Sequence, residues 1–223
     1  MPPPPDLFDR LTEAAADDWR RYVDHPFVRA MGDGSLPEPA FRHYLVQDYL
    51  FLAHFARAYA LAVYKGQSLA DMRAALTGLK AILDVEMDLH VGLCARWGLS
   101  PEALEGAPEA RATMAYTRYV LETGLRGDLL DLHAALAPCV IGYAEIGRRL
   151  AAAGPAADNP YREWIGEYSG AAYQEVAAGA RATLDRLAAR AMTEARFPQL
   201  LTVFRQACRL EADFWEMGLT LAD

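Results

Sequence analysis

Apolar residues recur at helical spacing along most of the chain, and no stretch of useful length alternates apolar with polar as a half-buried strand would. Leu7, Leu11, Ala15 and Trp19 fall at four-residue intervals, which predicts a first helix over 6–23. His25-Pro26 breaks it, because proline disfavours helix in the residue before it. Gly32-Asp33-Gly34-Ser35 and Pro37 carry turn chemistry, and a long helix is predicted from Pro39 through Phe41, Tyr44, Leu45, Asp48, Leu52, Phe55 and Tyr59 to Tyr64. Ser68 is a cap for a helix from Leu69 to Trp97, which Gly98 ends, and Ser100-Pro101-Glu102 starts a short one. Further helices are predicted over 111–123, closed by Gly124, and over 128–153, closed by Gly154-Pro155. Pro138 should kink the second of these by removing an N–H donor and freeing a carbonyl one turn earlier. Asn159-Pro160 opens a turn holding Trp164 and Ile165, Ser169 is expected to cap a helix over 171–190, and the last helix spans about 193–221. No internal repeat and no second composition regime appears. The fold class read from this pattern is all-α, a single-domain helical bundle over 1–223, with residues 1–5 as an extended leader.

Composition narrows the function classes. The chain has 223 residues, 53% hydrophobic and 23% charged, enough for a sizeable core and unlike a disordered segment. Its formal net charge is -8 and its basic residues are scattered. A nucleic-acid partner is therefore not expected, since phosphate binding calls for a basic stripe. The stretch Tyr49–Tyr64 reads as the most apolar, and His54 and Arg57 within it argue for a buried helix over a membrane span. The N-terminus lacks the basic-then-apolar pattern of a secretory signal, so the expected location is cytoplasmic. Cys94, Cys139 and Cys208 are odd in number and widely spaced, with no zinc-binding pattern, which suits reduced thiols.

Polar residues that interrupt apolar helix faces are the candidate chemistry. Asp48 shares a stripe with Leu45, Leu52 and Phe55, and Glu211 shares one with Cys208, Phe214 and Trp215. An unpaired buried carboxylate costs several kcal/mol or takes up a proton, so each needs a partner or a ligand. Tyr143 lies one turn after Cys139, which places both on one helix face. The residues alone leave two readings open. A buried cysteine is ordinarily a small hydrophobe, Asp48 and Glu211 fit a core arginine as well as a substrate, and Tyr116, Tyr143 and Tyr168 fit an ordinary core.

Read together, four stretches resemble the TenA/thiaminase II family, whose fold is like that of haem oxygenase. The first joins His25-Pro26-Phe27, Gly34, Leu36, Pro37 and Phe41 to Tyr44-Leu45-Val46-Gln47-Asp48-Tyr49-Leu50-Phe51. The second is Ala115-Tyr116-Thr117, and the third is Leu136-Ala137-Pro138-Cys139 with Gly142-Tyr143-Ala144-Glu145-Ile146-Gly147. The fourth is Trp164-Ile165 and Tyr168, then Glu211, Phe214-Trp215 and Met217. The match covers nearly the whole chain in family order. Its most specific part is the Pro-Cys…Tyr-x-Glu-x-Gly segment.

The resemblance implies an aminopyrimidine aminohydrolase, or thiaminase II. It would hydrolyse 4-amino-5-aminomethyl-2-methylpyrimidine in salvage of thiamin breakdown products, with thiamin itself a weaker substrate. Cys139 would be the nucleophile and Glu211 the acid/base partner. Asp48 would bind the ring nitrogen and exocyclic amine, while Tyr116, Tyr143 and Tyr168 would line the site. Phe51 stands where many members carry tyrosine, so one hydroxyl of the family's site is missing. The partner implied is a small pyrimidine, with no cofactor, no metal, no nucleic acid and no membrane, in a homotetramer. Two rivals are a non-catalytic pyrimidine binder or regulator, and a haem, quinone-cofactor or di-iron oxidoreductase of the same fold. Glu86 and His90 lie four apart without a second copy of the pair, which suits a solvated or supporting role better than a di-iron site.

Overall fold

The computed structural model describes residues 6–223, so the expected leader at 1–5 lies outside the described residues. Every regular element among them is helical. By their contacts the residues group into two units.

The first unit holds residues 6–36 together with His133–Trp215. It contains α1 (Leu7–Ala14), α2 (Ala16–Val23), α3 (Pro26–Asp33), α9 (Leu129–Ala152) from His133 on, α10 (Arg162–Ser169), α11 (Ala171–Ala191) and α12 (Phe197–Thr220) as far as Trp215. Asp6 caps α1 by accepting from the Asp9 N–H, and Arg181 of α11 binds the same carboxylate at 2.6 Å. Phe8, Trp19 and Phe204 form an aromatic centre with ring centroids 5.4 to 5.9 Å apart. The expected first helix is two, parted at Ala15, whose backbone leaves the helical region at φ -110° and ψ 23°. The stretch after His25-Pro26, to which the pattern assigned no element, is α3. His25 Nδ1 accepts from the Phe27 N–H at 3.3 Å, Pro26 takes the first helical position, and Gly34 ends the helix at φ 82°.

The second unit is Pro37–Leu132 with Glu216–Asp223. Its spine is α4 (Glu38–Lys65), against which α5 (Leu69–Ala81), α6 (Met87–Arg96), α7 (Pro101–Glu105) and α8 (Arg111–Arg126) pack. The helix expected over 69–97 is continuous but widens into a π-turn at Ile82–Glu86. Gly124 does not stop α8. It lies inside the helix, where a Cβ would come within 2.9 Å of the Leu61 and Leu132 side chains. Lys65 closes α8 instead, its ammonium reaching the Gly124, Leu125 and Gly127 carbonyls at 2.5 to 2.9 Å. Gln47 fixes the other end, accepting from the Ala110 N–H and the Thr113 hydroxyl and donating to the Pro108 carbonyl.

Among the described residues one helix, α9, meets the length and composition of a membrane span, and the Tyr49–Tyr64 stretch, expected not to be one, does not. The apolar window of α9 is 78% buried inside the protein, as a core helix would be.

Candidate active site

Four of the seven residues singled out from the sequence belong to the first unit. Cys139 and Tyr143 stand one turn apart on α9, Tyr168 near the end of α10, and Glu211 on α12 one turn before Trp215. Tyr143 is the hub, with ring centroids 5.0 Å from Tyr168, 5.2 Å from Trp215 and 5.8 Å from Trp164. Glu211 is buried, only 1% exposed, and Cys139 is half-buried among fully buried neighbours.

Two glycines of the Pro-Cys…Tyr-x-Glu-x-Gly segment, Gly142 and Gly147, have geometric reasons. A Cβ at Gly147 would lie 2.5 Å from the Tyr168 carbonyl carbon and 2.8 Å from the Ser169 nitrogen, so its absence lets that backbone close on α9. Gln174 then binds both sides, donating to the Ala144 carbonyl at 3.0 Å and the Tyr168 carbonyl at 2.8 Å. Ser169, expected to cap α11, closes α10 instead, and Gly170 holds the cap position. At Gly142 the close neighbour is the Tyr22 ring, 2.4 Å from where a Cβ would stand.

The three cysteines are all thiols, in unlike settings. Cys94 and Cys208 are fully buried. Burial, then the charge of Asp48, pushes the Cys94 thiol up to about 12. Burial, then Glu211 and Asp18, pushes Cys208 well above the ordinary thiol value. Neither supplies thiolate at neutral pH. Cys139 alone is accessible.

The other three residues belong to the second unit. Asp48 and Phe51 lie on α4, and Tyr116 lies on α8 with its ring centroid 5.1 Å from that of Phe51. Asp48 is a buried carboxylate with two polar neighbours. The Tyr44 hydroxyl, one turn earlier, donates to Oδ2 at 3.1 Å, and His90 Nδ1 stands 3.5 Å from the same oxygen. Burial raises the Asp48 pKa, against the opposing pull of His90 and the Tyr44 hydrogen bond. His90 Nε2 is 2.9 Å from the Leu45 carbonyl, which can only accept, so that nitrogen carries a hydrogen and Nδ1 faces the carboxylate. The core-arginine reading of Asp48 thus gives way to a Tyr–Asp–His cluster. The i, i+4 spacing of Tyr44 and Asp48 was a usable signal for half of it; nothing local ties Asp48 to His90 across 42 positions.

Beside Phe51 a small open cleft is lined by Phe51, His54, Phe55, Thr117 and Val120. His54 Nε2 lies 2.8 Å from Glu109, whose carboxylate also takes both Arg118 terminal nitrogens at 2.8 and 2.6 Å. Burial first, and then Arg118, lowers the His54 pKa.

The chain was compared with known proteins. A family model described as TENA/THI-4/PQQC matches residues 13–221. A protein of Halalkalibacterium halodurans named aminopyrimidine aminohydrolase is 41% identical over 209 residues, covering 93% of each chain. A crystal structure from a Silicibacter species, described as a TenA family transcription regulator, superposes with a TM-score of 0.90 at 46% identity over 96% of each chain. A structure from Shewanella denitrificans, described as having a heme oxygenase-like fold, superposes at 0.74 with 16% identity over 98% of this chain and 94% of that one, a likeness of fold alone. The two deposits of buried carboxylate, aromatic ring and thiol therefore sit in a heme oxygenase-like helical fold, and the chain belongs to the TENA/THI-4/PQQC family.

Proposed function

We propose that this protein is an aminopyrimidine aminohydrolase of the thiaminase II type. It converts 4-amino-5-aminomethyl-2-methylpyrimidine and water to the 5-hydroxymethyl pyrimidine and ammonia, and cleaves thiamin more slowly. The observation that carries the reading is the contrast among the thiols. Cys139 is half-buried and next to the Tyr143 cluster, while Cys94 and Cys208 are sealed and held protonated. The 41% identity to a protein named for this activity supports the same reaction.

The bond from the ring's exocyclic methylene to nitrogen resists direct displacement. In the proposed sequence the Cys139 thiolate adds to a ring carbon, and the displaced electron pair passes to the ring nitrogens. Asp48, whose raised pKa favours the protonated form, hydrogen-bonds that nitrogen edge and stabilises the developing charge. The pair then returns to expel the amine, which takes a proton from Glu211 and leaves as ammonia. Water adds to the methylene, Glu211 recovers its proton, and loss of the thiolate restores the aromatic ring. Water is the only co-reactant in that balance. Tyr116, Tyr143 and Tyr168 line and orient the ring, and Phe51 offers an apolar face.

We further propose a cytosolic homotetramer. Leu69, Met72, Leu76 and Leu83 are exposed on one face of α5 and the π-turn, at the three- and four-residue spacing of a helix-pairing seam, which supports burial against another copy.

Incubation with the aminomethyl-pyrimidine and, separately, with thiamin, reading ammonia and thiazole release, tests the activity. Ammonia release that vanishes in Cys139→Ser while ligand binding persists is the expected result. Calorimetric binding with no turnover in the parent protein would replace the enzyme by a pyrimidine-sensing regulator.

A further inference from the structure

Tyr22 stands on α2 with its side chain fully buried, and its hydroxyl donates to the Pro138 carbonyl at 3.1 Å. That carbonyl and the Cys139 N–H belong to one peptide unit, which resonance keeps planar. A bond to the oxygen therefore fixes the plane from which the Cys139 side chain springs. The ring reaches α9 because position 142 has no Cβ; one placed there would stand 2.4 Å from Tyr22 Cε1 and 2.6 Å from its hydroxyl oxygen.

The need for such a bond also lies in the sequence. Pro138 has no N–H, so α9 lacks the i→i−4 bond that would run from it to the Ala134 carbonyl, and its ladder is one bond short in the turn that leads to the thiol. A phenylalanine at position 22 would fill the same volume without burying a hydroxyl. A buried hydroxyl is costly unless it is satisfied, and here it is satisfied on the peptide of the thiol. Trp19, edge-on to the Tyr22 ring at 5.5 Å, holds it from α2.

We propose that Tyr22 is a positioning residue for Cys139, its hydroxyl reaching past Gly142 to hold the Pro138–Cys139 peptide in the orientation that aims the thiolate. This rests on the reading of Cys139 as nucleophile. The same hydrogen bond draws electron density from a carbonyl oxygen next to the thiol, so it also eases formation of the anion.

Tyr22→Phe keeps the ring and deletes the bond. Its kcat on the aminomethyl-pyrimidine should fall about tenfold at unchanged KM, the scale of one lost hydrogen bond. The midpoint of Cys139 alkylation by iodoacetamide should move to higher pH. Cys94 and Cys208, fully buried, stay silent in that assay. Gly142→Ala, whose methyl drives the ring off α9 while leaving the hydroxyl in the chain, should reproduce both changes and decides alone if Tyr22→Phe does not fold. A folded variant with parental kcat and an unmoved alkylation midpoint overturns the proposal. Turnover by Cys139→Ser would sink the nucleophile itself; an inactive Cys139→Ser beside an unaffected Tyr22→Phe sinks only the positioning role.

Discussion

His90 Nδ1 faces Asp48 Oδ2 at 3.5 Å while Nε2 of the same ring is held at 2.9 Å by the Leu45 carbonyl, so a histidine on α6 is oriented by the backbone of α4 toward a carboxylate of α4. Both side chains are about 6% exposed, and a polar group left there without its partner is costly. His90→Ala is expected to destabilise the fold by about 1–3 kcal/mol, and Asp48→Asn by much less, because the amide still accepts from Tyr44. The double variant should recover part of the His90→Ala loss, since the buried acid left without its partner is gone. Strictly additive losses in urea melts would mean that the two groups do not interact. The sign with pH follows from the raised Asp48 pKa. The folded state holds the Asp48 proton more tightly than the unfolded state, so its contribution is complete below the ordinary carboxylate pKa and is lost as pH rises through the folded value. Asp48→Asn should therefore gain stability relative to the parent as pH climbs above about 4.

His25 titrates with the opposite sense. Its Nδ1 caps α3, and burial first, with Arg21 and Arg29 adding to it, lowers its pKa to about 4. The unfolded chain therefore binds the proton first as pH falls from 6.5, and stability drops between about 6.5 and 4. Allowing for solvent screening, the loss is about 1–2 kcal/mol. His25→Asn keeps a capping acceptor that does not titrate. A parent and variant whose melting temperatures fall in parallel across that window would show that the cap contributes nothing to the acid sensitivity.

Much of the architecture was legible because helical periodicity is a property of the residues themselves. The spine α4 and the core helix α9 lie within a residue or two of where the apolar spacing puts them. What was not legible depends on neighbours distant in sequence. Nothing at Ala15 resembles a helix stop, since alanine favours helix, yet the backbone turns there between α1 and α2. Gly124 looks like a terminator and is a packing contact. The site divides the same way. Asp48 and Glu211 stood out as carboxylates on apolar faces, and both are buried. The roles of Tyr22, Gln174 and His90 are set by contacts across many positions and leave no local mark.

Gly147 and Gly179 are both helical glycines, and their surroundings set opposite outcomes for the same substitution. A methyl at 147 meets backbone, the Tyr168 carbonyl carbon at 2.5 Å, which cannot rotate aside. Gly147→Ala is expected to cost about 1–3 kcal/mol as α9 and α10 part, and to lower turnover by moving Tyr168 from Tyr143. At Gly179, within α11, a Cβ meets nothing within 4 Å. There the added methyl only reduces the freedom of the unfolded chain, so Gly179→Ala should stabilise by about 0.5–1 kcal/mol. Thermal melts of the two variants, with ammonia release as the second readout, check the pair. A Gly147→Ala protein as stable and active as Gly179→Ala would mean that the close approach of Tyr168 to α9 has no consequence.

The exposed leucines of α5 bear on assembly. Leu69 is 67% exposed and Leu83 50%, with Met72 and Leu76 between them on the same face, so the stripe cannot be explained by packing within its own unit. Left in water, four such side chains forgo a transfer free energy of about 1–2 kcal/mol each. A helix seam of this spacing is satisfied by a similar seam, and a second copy supplies one by symmetry. Leu76→Glu with Leu83→Glu places charges in that seam while leaving the buried face of α5, with Asp71 and Ala75, untouched. Light scattering should then report a smaller particle than the parent at equal concentration, with the helical circular dichroism retained. An unchanged mass in the double variant would show that the stripe stays exposed in the assembled protein and that the subunits meet elsewhere.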